Sequence, residues 1–347
     1  MPDPKSPIGD PRVLVPPPAD VRHAHLGWPK LAITSKGNFI LAYSAAEYHG
    51  SDGGGCPAVS VSKDGGESFS KPQILAEFGQ GNTYTHCGNM AIGVTTDDAI
   101  ILIAMAYQGD EANSIFGWVS INGGDNWQDV NVTALAAGRT GSIYGHVFQV
   151  AGRGYAVCGH HRPGAFPHDT GLWISFSQDG LHWGPPEHIT DEPLVEPAVV
   201  CTGAAIVGLV RNTDSSLLNG YASLTANRRR MDWALSASPI RSSPGHRLPS
   251  PFITVDPEDD SRLIALMTER SLQGNTPGRI SLWTSTETGA NWTDRGTVVA
   301  LPAEDGDPKT DFGYPWMVKR EDGKWLMAFY HGQQKGPNSI WGLDLEV

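Results

Sequence analysis

Six stretches of the chain share one pattern, two short runs of β-branched, aromatic and small apolar residues around a polar turn with Gly, Asp or Asn. They are "LAITSKGNFILAYSA", "NMAIGVTTDDAIILIAMAY", "VFQVAGRGYAVCG", "AVVCTGAAIVGLVRN", "FITVDPEDDSRLIALMTER" and "WMVKREDGKWLMAFYHG". Each reads as a β-hairpin. A second string recurs between them, as "SVSKDGGESF", "SINGGDNW", "SQDGLHW" and "STETGANW". The spacing of roughly 50 to 60 residues, allowing one blank interval, is what a four-stranded propeller blade needs. "SLTANRRRMDW", residues 223–233, fills the blank interval as a degenerate copy.

Six hairpins predict an all-β, six-bladed β-propeller with four-stranded antiparallel blades that begin near residues 22, 82, 141, 193, 246 and 310. Residues 1–347 are expected to form one domain. Only about three strands fit after residue 312, so "PRVLVPPP" near the N-terminus is expected to supply the outer strand of the last blade and cover its open edge. The repeated string is then the turn between third and fourth strands. Its Asp bonds backbone amides, its Gly takes a positive φ, and its aromatic ring wedges between strands.

Composition agrees with this. Forty-one Gly and 26 Pro among 347 residues, with 18% charged, fit short strands and tight turns and leave room for few helices. A net charge of −12 gives no basic face for nucleic acid or an anionic membrane surface. The basic run "NRRRMDW" reads as a solvated turn. No apolar run is long enough to span a bilayer, and the N-terminus lacks the basic and apolar regions of a signal peptide. The expectation is a soluble chain of open compartment, whether cytoplasmic or a processed secreted form. Asn131 and Asn291 match the glycosylation pattern without settling it. Cys56, Cys87, Cys158 and Cys201 are too far apart for a metal knuckle and read as reduced core residues.

In a propeller the first strand of every blade lines the central channel, so residues opening those strands converge. They include His25, Trp28, His86, His146, Glu196, Arg247 and Tyr314. His49, His160, His161 and His331 stand at second-strand ends nearby, and His161 with Arg162 reads as part of a substrate-binding loop.

On these strings the chain resembles the sialidase (neuraminidase) superfamily, six-bladed propellers whose repeated string is called the Asp box, or BNR repeat, and the likeness runs nearly full length. The resemblance implies an exo-acting glycoside hydrolase that removes a terminal acidic sugar by a retaining mechanism. It implies that Tyr314 in "DFGYPWMVKREDGKWLMAFY" is the nucleophile, Glu196 in "VEPAVVCTGAAIVGLVRN" its base, and Asp52 in "GSDGGGCP" the acid/base. Arg211 and Arg279 would bind the substrate carboxylate. The family's first-blade arginine is missing, because Gly27 stands two residues before Pro29. Arg22, His25 or Arg247 would have to replace it, or Trp28 would stack on a different sugar. No cofactor or metal is implied, although three inward imidazoles would suit one; the partner is a glycan, and the oligomeric state is not set by the sequence. Two alternatives stay open: a lyase on a uronate glycan using His or Tyr with Arg, and a carbohydrate-binding propeller without turnover.

Overall fold

The computed structural model describes residues 10–347 apart from 51, 110, 137–140, 163–169, 215, 273–277, 287 and 302–309. The chain is a six-bladed, antiparallel all-β propeller. The first blade is His25–Ile33, Phe39–Ala46, Cys56–Ser62 and Gln73–Ile74, and the second His86–Val94, Ile100–Gln108, Glu111–Ser120 and Gln128–Val130. The third is Ser142–Val150, Gly154–His160, Leu172–Ser177 and Glu187–Thr190, and the fourth Leu194–Cys201, Ala205–Asn212, Gly220–Asn227 and Trp233–Arg241. The fifth opens with His246–Arg247 and Phe252–Asp256, both paired to Asp259–Ser271, and continues through Gly278–Ser285 and Thr293–Leu301. The sixth is Thr310–Lys319, Trp325–Gln333 and Asn338–Leu345, with Arg12–Val15 antiparallel to the last of these. Parallel pairing of His25 with Asn338 joins the sixth blade to the first. Among the described residues no helix is long and apolar enough to cross a membrane.

Burial falls from axis to rim. Phe39–Ala46 is buried throughout, whereas Gln128–Val130 and Glu187–Thr190 are largely exposed. Inner strands lie between neighbouring blades and bury both faces, so they read as continuous apolar runs. The four cysteines are free; Cys201 is half-buried and the other three are buried.

The repeated string folds as one turn. Ser62 Oγ donates to Asp64 Oδ1 at 2.7 Å and accepts from the Gly66 amide at 2.9 Å, while Asp64 Oδ1 accepts from the Ser68 amide at 3.0 Å. Ser120 with Asn122 and Ser177 with Asp179 repeat the arrangement. In the fourth blade Asn227 takes over, accepting from the amides of Arg229 and Arg230 at 3.0 and 3.2 Å.

The inner strands carry a second repeat. Trp28, Glu196, Ser250 and Tyr314 each precede a proline and each have positive φ, at 55°, 55°, 44° and 51°. They belong to blades one, four, five and six. The antiparallel register shifts around three of them, between Gly27 and Lys30, Val195 and Ala198, and Gly313 and Trp316. Positive φ in such residues costs on the order of 1–3 kcal/mol each and persists only where surrounding packing enforces it. The bulge re-aims the side chain out of strand alternation.

Candidate active site

These bulges bring distant parts of the chain together. The Tyr314 hydroxyl donates to Glu196 Oε1 in a short hydrogen bond. Ser250 bridges the pair: its amide donates to Glu196 Oε2 at 3.0 Å, and its Oγ accepts from the Tyr314 amide at 3.3 Å. Arg211 Nη1 approaches Glu196 Oε2 at 3.2 Å, and Asn89 Nδ2 donates to Oε1 at 3.4 Å. The Glu196 amide donates to His160 Nδ1 at 3.2 Å.

The electrostatics follow from burial and neighbours. Burial opposes charge on Glu196, but Arg211, the Tyr314 hydroxyl and the Ser250 amide overcome it and hold the carboxyl down at about 2. Burial and then the Glu196 charge push the Tyr314 phenol well above its ordinary value. The pair is therefore a carboxylate holding a neutral phenol, the arrangement a phenolic nucleophile needs from its base.

A cavity of about 290 Å³ opens on the pair, lined among others by Trp28, His49, His86, Asn89, Tyr107, Arg162 and Arg211. A second, of about 360 Å³, is lined by His160, His161, Arg162 and Thr213 and shares Arg162, Glu196 and Arg211 with the first. Asn89 Oδ1 is buried without a hydrogen-bond partner. Trp28 sets its ring edge-on to Tyr314 with centroids 6.4 Å apart.

Arg270 was not among the sequence candidates, yet it reaches toward Tyr314. It donates to the Phe312 carbonyl and to the Tyr330 hydroxyl, the latter at 2.7 Å, and stands 3.5 Å from Asp311 Oδ1. Arg247, paired across the strands with Arg270, is destabilised as a cation by burial and by the charges of Arg270 and Arg211. Arg211, Arg247 and Arg270 thus lie near enough to act on one another, Arg211 held by Glu196 and Arg270 by Asp311. Arg22, by contrast, is exposed and closed on Asp20 at 2.8 Å.

Other sequence candidates are placed elsewhere. Arg279 does not join the cluster; it pairs with Glu269 at 2.7 Å. The physical reason is register: Arg279 sits opposite Glu269, one residue before Arg270, so strand alternation turns it to the other face. Asp52 is exposed, does not line the cavity, and its carboxylate engages the Tyr48 hydroxyl. His146 donates Nε2–H to the Ile253 carbonyl at 2.9 Å and packs on Trp316, and burial lowers it to about 4, as for a core imidazole. His25 is buried, with Nδ1 donating to the Gly336 carbonyl at 3.0 Å. His86 does line the cavity; its Nδ1 accepts from the Gly55 amide at 2.8 Å, and burial, then His49 and His25, lower it to about 3.

Among the described residues, His25, His49 and Asp311 approach near the site as a metal-type triad, with ligand atoms within 4.8 Å of one another. Hydrogen bonds already occupy them. His49 Nδ1 lies 2.5 Å from Asp311 Oδ2, Asn338 Nδ2 lies 3.2 Å from His25 Nε2, and the Arg270 guanidinium faces Asp311. The donors read as a hydrogen-bond relay.

Beneath Tyr314 lies Lys30, fully buried. Its ammonium sits 4.6 Å from the ring centroids of Tyr144 and Trp316 and 5.2 Å from that of Tyr314. Burial lowers it to about 7, against a partial counter-pull from Glu196.

No family model and no curated protein matches the chain. Among solved structures it is similar to a Dyadobacter fermentans protein of unknown function, with 16% identity over 98% of this chain and all of that one, at a TM-score of 0.69. It is also similar to a Hadza microbial sialidase, 16% identical over 94% of this chain and 68% of that one, at 0.64. A Fusarium graminearum α-L-arabinofuranosidase is 11% identical over 98% of both chains, at 0.67. At these identities the likeness is one of fold, and the chain shares its propeller with glycoside hydrolases.

Proposed function

We propose that the protein is a retaining exo-glycosidase acting on a terminal acidic sugar, with Tyr314 as nucleophile and Glu196 as its base. The observation that carries this reading is the Tyr314–Glu196 hydrogen bond facing a cavity lined by Arg162 and Arg211, with Arg247 and Arg270 close enough to act on Tyr314. Where the anomeric carbon carries a carboxylate, an anionic nucleophile meets like charge at short range in a poorly screened pocket. A neutral tyrosine avoids that repulsion, as in sialidases among glycosidases. The Hadza microbial sialidase, which has the same fold, is consistent with this chemistry.

Substrate binding also readies the base. Arg211 is what most depresses the Glu196 carboxyl. A substrate carboxylate sharing that guanidinium weakens its hold and makes Glu196 a better proton acceptor as the Tyr314 oxygen attacks. Paired charge-assisted bonds to the arginines then fix the sugar over the phenol.

The test is a panel of aryl glycosides of acidic and neutral sugars with the parent protein and Tyr314→Phe. Release of an acidic sugar that disappears in the variant supports the reading. An unsaturated, ultraviolet-absorbing product in its place would move the protein to the uronate lyases, and binding without turnover to carbohydrate-binding propellers.

A further inference from the structure

Hydrolysis through Tyr314 needs a second group, one that gives a proton to the departing oxygen and later takes one from water. Asp52 is exposed on the rim, engaged by Tyr48. Three residues earlier on the same loop, His49 does line the cavity. Its backbone is pinned by donation from its amide to the Gln334 carbonyl at 2.9 Å. Its ring stands edge-on to Trp28 with centroids 5.1 Å apart, and its side chain is 29% exposed.

Behind it stands Asp311, buried and engaged on both oxygens. Oδ1 accepts from the Tyr330 hydroxyl at 2.7 Å and faces Arg270 at 3.5 Å. Oδ2 faces His49 Nδ1 at 2.5 Å and His25 Nε2 at 3.5 Å. Although burial opposes its charge, His25, His49 and Arg270 keep the Asp311 carboxyl ionised. A carboxylate so held orients an imidazole with Nδ1–H toward itself and stabilises the imidazolium when it forms. Nε2 is left over, and it has no partner among the described residues. The other groups facing His49 are His25, with ring centroids 6.0 Å away, and His86 from the second blade.

We infer that His49, oriented by Asp311, is the acid/base of this site, and Asp52 is not; the inference rests on the glycosidase reading above. In the first half-reaction the Tyr314 oxygen bonds to the anomeric carbon and its proton passes to Glu196. The bond to the leaving oxygen breaks, and that oxygen takes the Nε2 proton of the His49 imidazolium. In the second, water bonds to the anomeric carbon and loses its proton to His49 Nε2. The Tyr314 oxygen departs and recovers its proton from Glu196. The sum is one glycosidic bond and one water consumed, and the residues are regenerated.

The test compares the full-length parent, His49→Gln, Asp52→Asn and Tyr314→Phe on two glycosides of the same acidic sugar. One carries a nitrophenol, which departs without protonation, and the other a sugar alcohol, which does not. His49→Gln is expected to lose about 10²–10⁴-fold on the sugar-linked substrate and under about tenfold on the nitrophenyl one. Asp52→Asn is expected to change both rates by similar factors, and Tyr314→Phe to lose both. A purely structural role for His49 would lower both rates equally and overturn the inference, as would finding the leaving-group dependence in Asp52→Asn. If the parent turns over neither glycoside, the glycosidase reading falls and takes this assignment with it. His49→Gln losing both rates equally while Tyr314→Phe also fails sinks only the assignment.

Discussion

The Tyr314 hydroxyl donates to a carboxylate 118 residues earlier and two blades away, that of Glu196. Both residues have positive φ ahead of a proline, and Ser250, equally placed in the blade between, hydrogen-bonds to each. The backbone strain of three blades thus converges on one phenol–carboxylate contact. Strain of this kind is affordable where neighbouring structure over-determines it.

Glu196→Gln keeps the shape and removes the charge that accepts the Tyr314 proton. The expected outcome is a fall in kcat of about 10²–10⁴ with KM changed far less. Tyr314→Phe leaves Glu196 its partners Arg211, Ser250 and Asn89, so thermal unfolding should move only a few degrees while turnover is lost. Steady-state kinetics beside calorimetry separate the effects. Unchanged turnover in Tyr314→Phe would remove the nucleophile.

Arg270 and Arg279 should behave as opposites. Arg270→Gln takes a cation from the cluster near Tyr314, and KM for an acidic sugar should rise about tenfold or more. Arg279→Gln strips the partner from Glu269, which is 1% exposed. A stability loss of about 1–3 kcal/mol is expected there, with KM unchanged, because a buried carboxylate loses its counter-ion. Urea unfolding and KM for both variants decide the matter; equal KM effects would put Arg279 back in the clamp.

How much of this was legible in the sequence differs from residue to residue. Blade starts were, because hairpins of inner strands buried on both faces leave long apolar runs: the expected boundaries at 141, 193 and 246 meet strands opening at Ser142, Leu194 and His246. Glu196 and Tyr314 stood out as polar residues opening inner strands, but Ser250 did not. The signal that would have found it is the repeated dipeptide Trp28-Pro29, Glu196-Pro197, Ser250-Pro251 and Tyr314-Pro315, one in each of four blades. Arg270 and Arg279 flank one hairpin turn, and only strand register decides which faces the sixth blade. His25 and His146 open inner strands as His86 does, yet carbonyls of Gly336 and Ile253 claim them for the core. Lys30 was invisible because lysine is almost never fully buried and nothing local marks the aromatic cage that holds it.

Lys30 should make stability pH-dependent. Below about pH 7 both folded and unfolded chains carry its proton, and the full cost of burying the charge is present. Between about 7 and the ordinary lysine value of 10.5 the unfolded chain keeps a proton that the folded one releases, so stability rises with pH, by at most about 1.4 kcal/mol per unit. Lys30→Met removes that contribution. Its stability relative to the parent should be greatest at pH 6 and shrink steadily toward pH 9 in urea unfolding. Parallel curves for the two proteins would mean that the cation–π contacts with Tyr144, Tyr314 and Trp316 fully offset the burial.

The vacancy at Gly27 tests the charge of the substrate. A Cβ built there would meet nothing nearer than the His25 ring at 3.8 Å, so a larger residue enters without backbone conflict. Gly27 lies two residues after His25 on the same strand face, and His25 faces Asp311. Gly27→Arg therefore places a guanidinium beside Asp311 and Arg270, next to the cavity rim. A new charge-assisted bond to a substrate carboxylate is worth about 1.5–3 kcal/mol, so KM for an acidic sugar should fall roughly ten- to hundredfold. KM for the neutral analogue of the same glycoside should not move. The ratio of the two KM values, parent against variant, is the measurement. A site built for a neutral sugar stacked on Trp28 would show no change in that ratio, since the added cation would find only Asp311 to pair with.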